Sequence, residues 1–390
     1  MTEYPSMIFA TLQPQPMSDN RDARYARHLM LPDFGPEGQT ALENARVACI
    51  GAGGLGSSAL LYMAAAGIGT IRIIDHDQVE ISNLQRQIIH GTKELGRRKV
   101  DSACERLQDV NPLIKIEPIF SRLNGENALD LLDGMDLVID GTDNIPTRYL
   151  LNDACEILGI PWVHASVFRY EGQLTVFNLS GSANYRDLFP KAPPPGSIPS
   201  CSEAGVLGAL PGILGTMQAM EAIKIIAKVG SPLTEQLMIL DTRKMNSRTL
   251  SYSKDTSRAR AVKLDRQNEY IDPGCEVQKV PDMQSMTVTT LHDLMDGENG
   301  PFLLDVRRPN EETICTIPGT DLRVEHTQIV QNLDSIPKDR DVVVYCRSGI
   351  RSMSAIAALA ANGWKFEQLW NLDGGILAWS REIDPTMPRY

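Results

Sequence analysis

Three features of the sequence predict an α/β protein in two units, a doubly wound, largely parallel sheet followed by a smaller α/β unit. Short apolar runs alternate with helical spacings, a glycine-rich turn joins the first run to the first helix, and the pattern restarts near Met286 after a polar stretch. At 390 residues the chain is also long for one core, since single cores stop growing near ~250–300 residues.

The elements follow in order. A short amphipathic segment lies around 24–31. Residues 45–51 read as a buried strand, 51–56 as a glycine turn and 57–66 as a helix stopped by Gly67. The strand Thr70–Asp75 comes next, then helical spacing over 99–111, a third short strand at Leu137–Asp140 and a second long helix over 147–158. Runs at 161–165 and 173–178 flank Tyr170-Glu171-Gly172, which suits a hairpin-like, mixed continuation of the sheet. Prolines at 190, 193, 194, 195 and 199 exclude regular structure from 180–200, a stretch long for a passive connection and therefore read as a mobile, functional loop. Helix returns at 208–229 and strand at Gln236–Asp241, and 251–285 is a polar linker. In the second unit Phe302–Asp305, 341–345 and 368–371 are short buried strands, with a helix over 352–362 between the last two. The expected organisation is a disordered tail over 1–20, a first domain over 21–250, the linker over 251–285 and a second domain over 286–390. The opening 1–16 holds three prolines, no cation and no periodic pattern, as a disordered tail or an upstream start ahead of Met17 would.

Composition narrows the function classes. With 42% hydrophobic and 22% charged residues, and no apolar run of the ~20 residues a span needs, the chain reads as globular and not membrane-inserted. A net charge of -11 argues against broad binding to nucleic acid. Seven scattered cysteines and no secretory leader point to a reducing, cytoplasmic setting.

The turn Gly51-Ala52-Gly53-Gly54-Leu55-Gly56 carries the first candidate site, because its backbone can approach a phosphate and the following helix offers N–H donors. Asp75, ending the next strand, is placed to bond a ribose hydroxyl. Alone this is a Rossmann-like fingerprint that a dinucleotide oxidoreductase also carries. The neighbours favour a triphosphate: Asp77, then Ser82-Asn83-Leu84-Gln85-Arg86-Gln87, then Lys99. Arg86 and Lys99 neutralise charge on departing pyrophosphate, and Asp143 with Asn144 can hold Mg²⁺. Singly, each cation would read as a solvated surface charge.

At these residues the sequence resembles the molybdopterin-synthase adenylyltransferase and ThiF family, bacterial relatives of ubiquitin-activating enzymes, over about 21 to 281. Arg24-Tyr25-x-Arg27, the Gly51 to Gly56 turn, Asp75-x-Asp77, Ser82 to Arg86, Lys99 and Thr142-Asp143-Asn144 fall in family order. The resemblance implies ATP and Mg²⁺ as cofactors, Asp75 on ribose, Arg86 and Lys99 on phosphates, Asp143 on Mg²⁺, and a homodimer in which Arg27 reaches ATP across the interface. Cys201-Ser202-Glu203-Ala204-Gly205-Val206 matches a family loop whose cysteine is linked to thioester or persulfide chemistry. Ser200-Cys201-Ser202-Glu203 also has capping-box spacing, and a helix N-terminus favours thiolate; the competing reading is an incidental buried cysteine. Many relatives hold zinc with two Cys-x-x-Cys pairs. These align with Asn184-Tyr185-Arg186-Asp187 and Cys275-Glu276-Val277-Gln278, and with only Cys275 left no zinc is expected.

The second unit carries Cys346-Arg347-Ser348-Gly349-Ile350-Arg351 between a strand and a helix. Successive N–H groups of such a loop form an anion nest for a charged sulfur adduct, and Arg347 and Arg351 add positive charge. A cysteine phosphatase is the nearest competitor, but here four residues separate Cys346 and Arg351, where that family's loop has five. From 286 to 390 the sequence resembles a rhodanese domain, through Leu303-Leu304-Asp305-Val306-Arg307, Ile317-Pro318-Gly319, the Cys346 loop and Leu372-Asp373-Gly374-Gly375-Ile376. Thr316 stands where a histidine often precedes the Ile-Pro-Gly. Asp305 is either a strand-end cap or catalytic.

Together the two resemblances imply adenylation of the C-terminal glycine of a small ubiquitin-like sulfur-carrier protein, then sulfur transfer from a Cys346 persulfide to give a thiocarboxylate. The persulfide comes from a donor such as a cysteine desulfurase. Molybdopterin biosynthesis is the expected pathway, with thiamine, cysteine or tRNA thiolation as alternatives. An NAD-dependent oxidoreductase and a non-catalytic carrier-binding scaffold are the rivals of another class.

Overall fold

The computed structural model describes residues 21–193, 205–270, 284–295, 297 and 300–390. The 1–20 stretch, Cys201 with its neighbours Ser202 to Ala204, and Cys275 to Gln278 lie outside the described residues. The described chain forms two compact units, one running to Tyr270 and one from 284 onward.

In the first unit α1 (Arg21–Leu29) and α2 (Gly35–Asn44) lead into β1 (Arg46–Ile50), α3 (Gly54–Ala66), β2 (Thr70–Asp75), α4 (Lys99–Val110), β3 (Lys115–Phe120), α5 (Ala128–Leu132), β4 (Leu137–Asp140) and α6 (Ile145–Leu158). Then come β5 (Trp162–Phe168), β6 (Glu171–Phe177), α7 (Tyr185–Leu188), α8 (Ala209–Ala227), β7 (Gln236–Asp241), β8 (Asn246–Ser251) and α9 (Gln267–Tyr270). The eight strands form one sheet in the order β3-β2-β1-β4-β5-β6-β7-β8. It is parallel from β3 to β5 and antiparallel from β5 to β8, so the mixed hairpin expected around Gly172 is present. Every residue of β4 is buried, as a central parallel strand covered on both faces requires. The strand order reverses between β1 and β4, which opens a crevice at the strands' carboxyl ends.

Local chemistry sets the elements around that crevice. β1 turns into α3 through Gly51 at φ 94, and a Cβ there would lie 2.8 Å from the Gly141 carbonyl oxygen. A Cβ on Gly56 would lie 2.0 Å from the Gly51 carbonyl oxygen; only glycine permits so close an approach of backbone. The Asn144 side chain caps α6 by accepting the Thr147 N–H at 2.9 Å, and Gly159 at φ 70 ends that helix.

The segment read as a linker from 251 belongs to the first unit up to Tyr270. The Tyr252 and Thr175 hydroxyls pair at 2.7 Å, Tyr252, Leu264 and Tyr270 pack against the core, and ion pairs add to them. Arg258 bonds Glu156 at 2.7 Å and Asp187 at 2.8 Å, Arg260 reaches the same two carboxylates, and Arg186 spans Asp153 and Glu269, each at 2.7 Å. Composition could not reveal this attachment, since its partners lie far back in sequence.

The network includes Asn184 and Asp187, two of the residues that stand in place of the expected cysteine ligands. Asn184 there donates to Glu156 and receives the Trp162 indole N–H. Burial opposes ionisation of Glu156, but Arg258, the Ala261 N–H and Arg260 outweigh it and hold that carboxyl down to about 2. A folded value below the ordinary one near 4.5 means the contribution is full above that pH and is lost as pH falls toward 2. Arg258→Ala is expected to cost on the order of 3 kcal/mol in urea unfolding at pH 7. The deficit should shrink as pH falls through that window, while EDTA should leave the transition in place.

The second unit is a five-stranded parallel sheet in the order β11-β10-β12-β13-β9, from β9 (Gln284–Met286), β10 (Phe302–Asp305), β11 (Leu322–Arg323), β12 (Val342–Tyr345) and β13 (Leu369–Leu372). Its helices are α10 (Val288–Met295), α11 (Pro309–Glu312), α12 (Ile350–Ala361) and α13 (Gly375–Glu382). Apolar clusters cover both faces of the sheet, one around Leu304, Val342, Val344 and Leu359, the other around Leu291, Val343, Leu372 and Trp379. No helix among the described residues is long and apolar enough to cross a membrane.

Candidate active sites

In the first unit the carboxyl ends of β1, β2 and β4 converge on an open pocket of about 930 Å³, solvent at its mouth included. Gly51, Gly53, Gly54, Asp75, Asp77, Arg86, Lys99, Asp143 and Asn144 all line it. Residues spread over almost a hundred positions are thereby gathered around one turn.

Asp75 is positioned by backbone: its carboxylate accepts the Ala52 and Asp77 N–H groups, each at 2.8 Å. Burial pushes its pKa up, against Lys99 and those two hydrogen bonds. Burial also opposes ionisation of Asp77, but the Lys99 ammonium, 2.8 Å from its Oδ2, holds that carboxyl below the ordinary range. Lys99 is only 5% exposed, so its charge is committed to the pocket. Arg86 is anchored by one donor to the Ser82 carbonyl at 3.0 Å. Asp143 stands exposed at the rim.

Other expected residues do not face the pocket. Gly56 lies under the turn, where it lets α3 approach Gly51. Asn83 is buried and its Oδ1 accepts the Glu80 N–H at 3.2 Å. Ser82 and Gln85 are exposed, Leu84 is half-buried, and the Gln85 carbonyl packs against Gly208. These four shape the loop that presents Arg86. Arg27 is exposed on α1 and does not line the pocket of its own chain.

The sequence reading missed the support behind Asp143. Buried Asp140 accepts from the Thr142 N–H and hydroxyl, at 3.0 and 2.6 Å, and from His164 Nδ1 at 2.7 Å, with Arg148 Nε 3.4 Å away. Burial works against its ionisation, yet the His164 hydrogen bond and Arg148 hold its pKa down; burial pushes the His164 pKa down as well. A histidine in the otherwise apolar Trp162-Val163-His164-Ala165 run was the available signal. Thr142 and Arg148 also line the pocket.

The pocket fits a nucleotide triphosphate on the evidence of its own atoms. It offers a glycine cradle at the N-terminus of a 13-residue helix, the cations Arg86 and Lys99, and Gln87, whose buried Oε1 has no hydrogen-bond partner among the described residues.

In the second unit β12 delivers Cys346 into the turn before α12. Its Sγ accepts the Gly349 N–H at 3.1 Å and lies 3.5 Å from Ser352 Oγ. Gly349 adopts φ 93, the left-handed turn that aims backbone N–H groups into the loop. Arg351 forms a two-pronged pair with Glu311, at 2.6 and 2.7 Å, and Arg347 Nε donates to the Tyr390 main-chain oxygen at 2.6 Å. Asp305 is fully engaged: it accepts from the Arg307 main chain and guanidinium and from the Tyr345 hydroxyl. That is a structural ion pair, which favours the non-catalytic reading. The Thr316 hydroxyl lies 3.3 Å from that of Tyr345.

Comparison with known proteins followed the same division. The ThiF family model matches residues 25–261 and the rhodanese-like domain model matches 287–382. The chain is 42% identical over 383 residues to a probable adenylyltransferase/sulfurtransferase MoeZ of Mycobacterium tuberculosis, covering 96% of each protein. It is 35% identical to an adenylyltransferase and sulfurtransferase MOCS3 of Culex quinquefasciatus, over 96% of this chain and 90% of that one. Among solved structures, Escherichia coli MccB bound to MccA-N7isoASN matches with a TM-score of 0.56 at 20% identity, over 63% of this chain and 76% of that one. That last likeness is one of fold.

Proposed function

Because this chain belongs to the ThiF family and continues into a rhodanese-like domain, we propose that it is an adenylyltransferase and sulfurtransferase acting on a small ubiquitin-like sulfur-carrier protein. It activates the carrier's C-terminal carboxylate with ATP and then supplies the sulfur of a thiocarboxylate. The observation that carries the reading is the pairing, in one chain, of the phosphate cradle at α3 with a cysteine held in a backbone nest.

The first step joins the carrier carboxylate oxygen to the α-phosphorus of ATP as the bond to pyrophosphate breaks. The acyl-adenylate is a far better electrophile than the carboxylate. Asp75 is set to hold the ribose, and the α3 N-terminus with Arg86 and Lys99 takes up charge on the phosphates as it shifts to pyrophosphate. Asp143 would hold Mg²⁺, which supplies further charge neutralisation when bound. Asp140, clamped between His164 and Thr142, fixes the turn from which Asp143 projects.

In the second step a Cys346 persulfide attacks the acyl carbon and AMP leaves, giving an acyl disulfide; a second thiol attacks the Cys346 sulfur, the S–S bond breaks to release the thiocarboxylate, and the Cys346 disulfide formed is returned to thiols by a dithiol reductant. Cys201 is the candidate for that thiol, or for holding the acyl group first as a thioester. A cysteine desulfurase is a suitable persulfide source, molybdopterin formation a suitable destination, and the cytoplasm a suitable reducing setting. Arg27 and the exposed Met30 and Leu31 beyond α1 support a homodimer.

Carrier-dependent exchange of labelled pyrophosphate into ATP tests the first step. No exchange at any carrier concentration, together with a cofactor difference spectrum with NAD and none with ATP, would favour the oxidoreductase reading.

A further inference from the structure

The two loop arginines of the second unit are engaged before any sulfur donor arrives. Arg351 is held by both oxygens of Glu311, with both side chains largely buried. Burial opposes ionisation of Glu311, but Arg351 and the Arg308 N–H hold its carboxyl at about 2, so near neutral pH it is a full counter-charge. Tyr390 closes the arrangement. Its hydroxyl accepts from Arg307 at 2.6 Å and donates to Glu311 at 3.2 Å. Its main-chain oxygen takes the Arg347 N–H, and the Arg347 guanidinium lies 5.7 Å from its ring centroid. The Cys346 sulfur itself is met by an uncharged donor, the Gly349 N–H, and Ser352 Oγ lies 3.5 Å away. Ser352 in turn donates to Asn371 at 2.6 Å.

We propose that Glu311 and Tyr390 are the specificity-determining residues of this site. By holding both arginines they make it a poor receiver of small oxoanion donors such as thiosulfate and a good receiver of persulfides. The inference rests on the reading of Cys346 as the sulfur relay. The bond changes are the same for either donor. The Cys346 thiolate attacks the outer sulfur and the donor's S–S bond breaks. R–S–SH releases RS⁻ and leaves Cys346–S–SH, whereas thiosulfate releases sulfite and leaves Cys346–S–S⁻. What differs is the leaving group. Sulfite carries its charge on three oxygens that need cationic hydrogen-bond donors, and the persulfide needs only the nest around the transferred sulfur.

The test is steady-state sulfur transfer to cyanide by the full chain, above the uncatalysed rate, with thiosulfate and with 2-hydroxyethyl persulfide. Wild type is expected to prefer the persulfide. Glu311→Gln releases the Arg351 charge and should raise the thiosulfate to persulfide ratio of kcat/KM by about tenfold, mainly through a lower KM for thiosulfate. Tyr390→Ala keeps the main-chain oxygen on Arg347 but removes the hydroxyl that donates to Glu311 and the ring beside the Arg347 guanidinium; it should move the ratio the same way by a smaller factor, and it carries the test if near-UV circular dichroism shows Glu311→Gln to be misfolded. Ratios within twofold of wild type in the folded variants overturn the inference and leave the sulfur relay standing. A wild type that transfers from neither donor, or a Cys346→Ala protein as active as wild type, overturns both.

Discussion

Asp143→Ala is expected to lower carrier-dependent pyrophosphate exchange by at least about a hundredfold without lowering the melting temperature. Removing one preorganised electrostatic partner of a developing charge costs about 10²–10³ in rate. Asp143 is the clean position for the experiment because it stands exposed at the rim. The neighbouring turn is held by Asp140 through Thr142 and His164, and α6 is capped by Asn144. The same substitution at Lys99 would be ambiguous: it would strip Asp77 of a partner at 2.8 Å and also empty the space of a side chain that is itself buried. Two readouts separate the outcomes. Thermal unfolding reports the fold, and the dependence of exchange on Mg²⁺ concentration reports the metal assignment. A folded Asp143→Ala protein exchanging at the wild-type rate would remove Asp143 from the chemistry, and the charge on pyrophosphate would then have to be met by Arg86 and Lys99 alone.

The α/β class and the crevice were legible because their signals are local. The Gly51 to Gly56 turn needs glycine for two close backbone approaches that no other residue permits, and Asp75 and Asp143 follow strand ends marked by short apolar runs. What stayed hidden depends on partners distant in sequence. β3 contains Pro118, alternates charge with apolar residues and sits at the sheet edge, so it carries no buried-strand pattern. β8 is exposed throughout and equally silent. The attachment of 252–270 combines a few apolar and tyrosine contacts with ion pairs to Glu156 and Asp187, and no periodicity encodes an ion pair across a hundred residues. Motif adjacency also overstated the site: Asn83 and Gln85 shape the loop, and of that run Arg86, with its neighbour Gln87, faces the pocket. At Cys346 the spacing located the nest, but only the structure shows that the two arginines beside it are held by Glu311 and Tyr390.

Cys346→Ala is expected to separate the two activities completely. The cradle, Asp75, Arg86 and Lys99 all lie in the first unit, and none takes a hydrogen bond or ion pair from Cys346, so pyrophosphate exchange should persist at the wild-type rate. Sulfur transfer from any donor should fall to the uncatalysed level, because a persulfide needs a sulfur to form on and alanine supplies none. The fold should survive: Cys346 is fully buried among Val344, Ala355 and Leu359, and the loss of one sulfur there costs on the order of 1–2 kcal/mol. Mass spectrometry of the carrier gives the decisive reading, since replacing one oxygen by sulfur at its C-terminus changes its mass directly. Cys201→Ala is the companion experiment. It should leave exchange and sulfur transfer to cyanide intact and slow thiocarboxylate formation, because only the resolving or acyl-holding thiol is lost. If Cys346→Ala still yields thiocarboxylate at the normal rate with a persulfide donor present, sulfur reaches the acyl-adenylate without passing through the rhodanese-like domain, and the two-step reading of this chain fails at its second step.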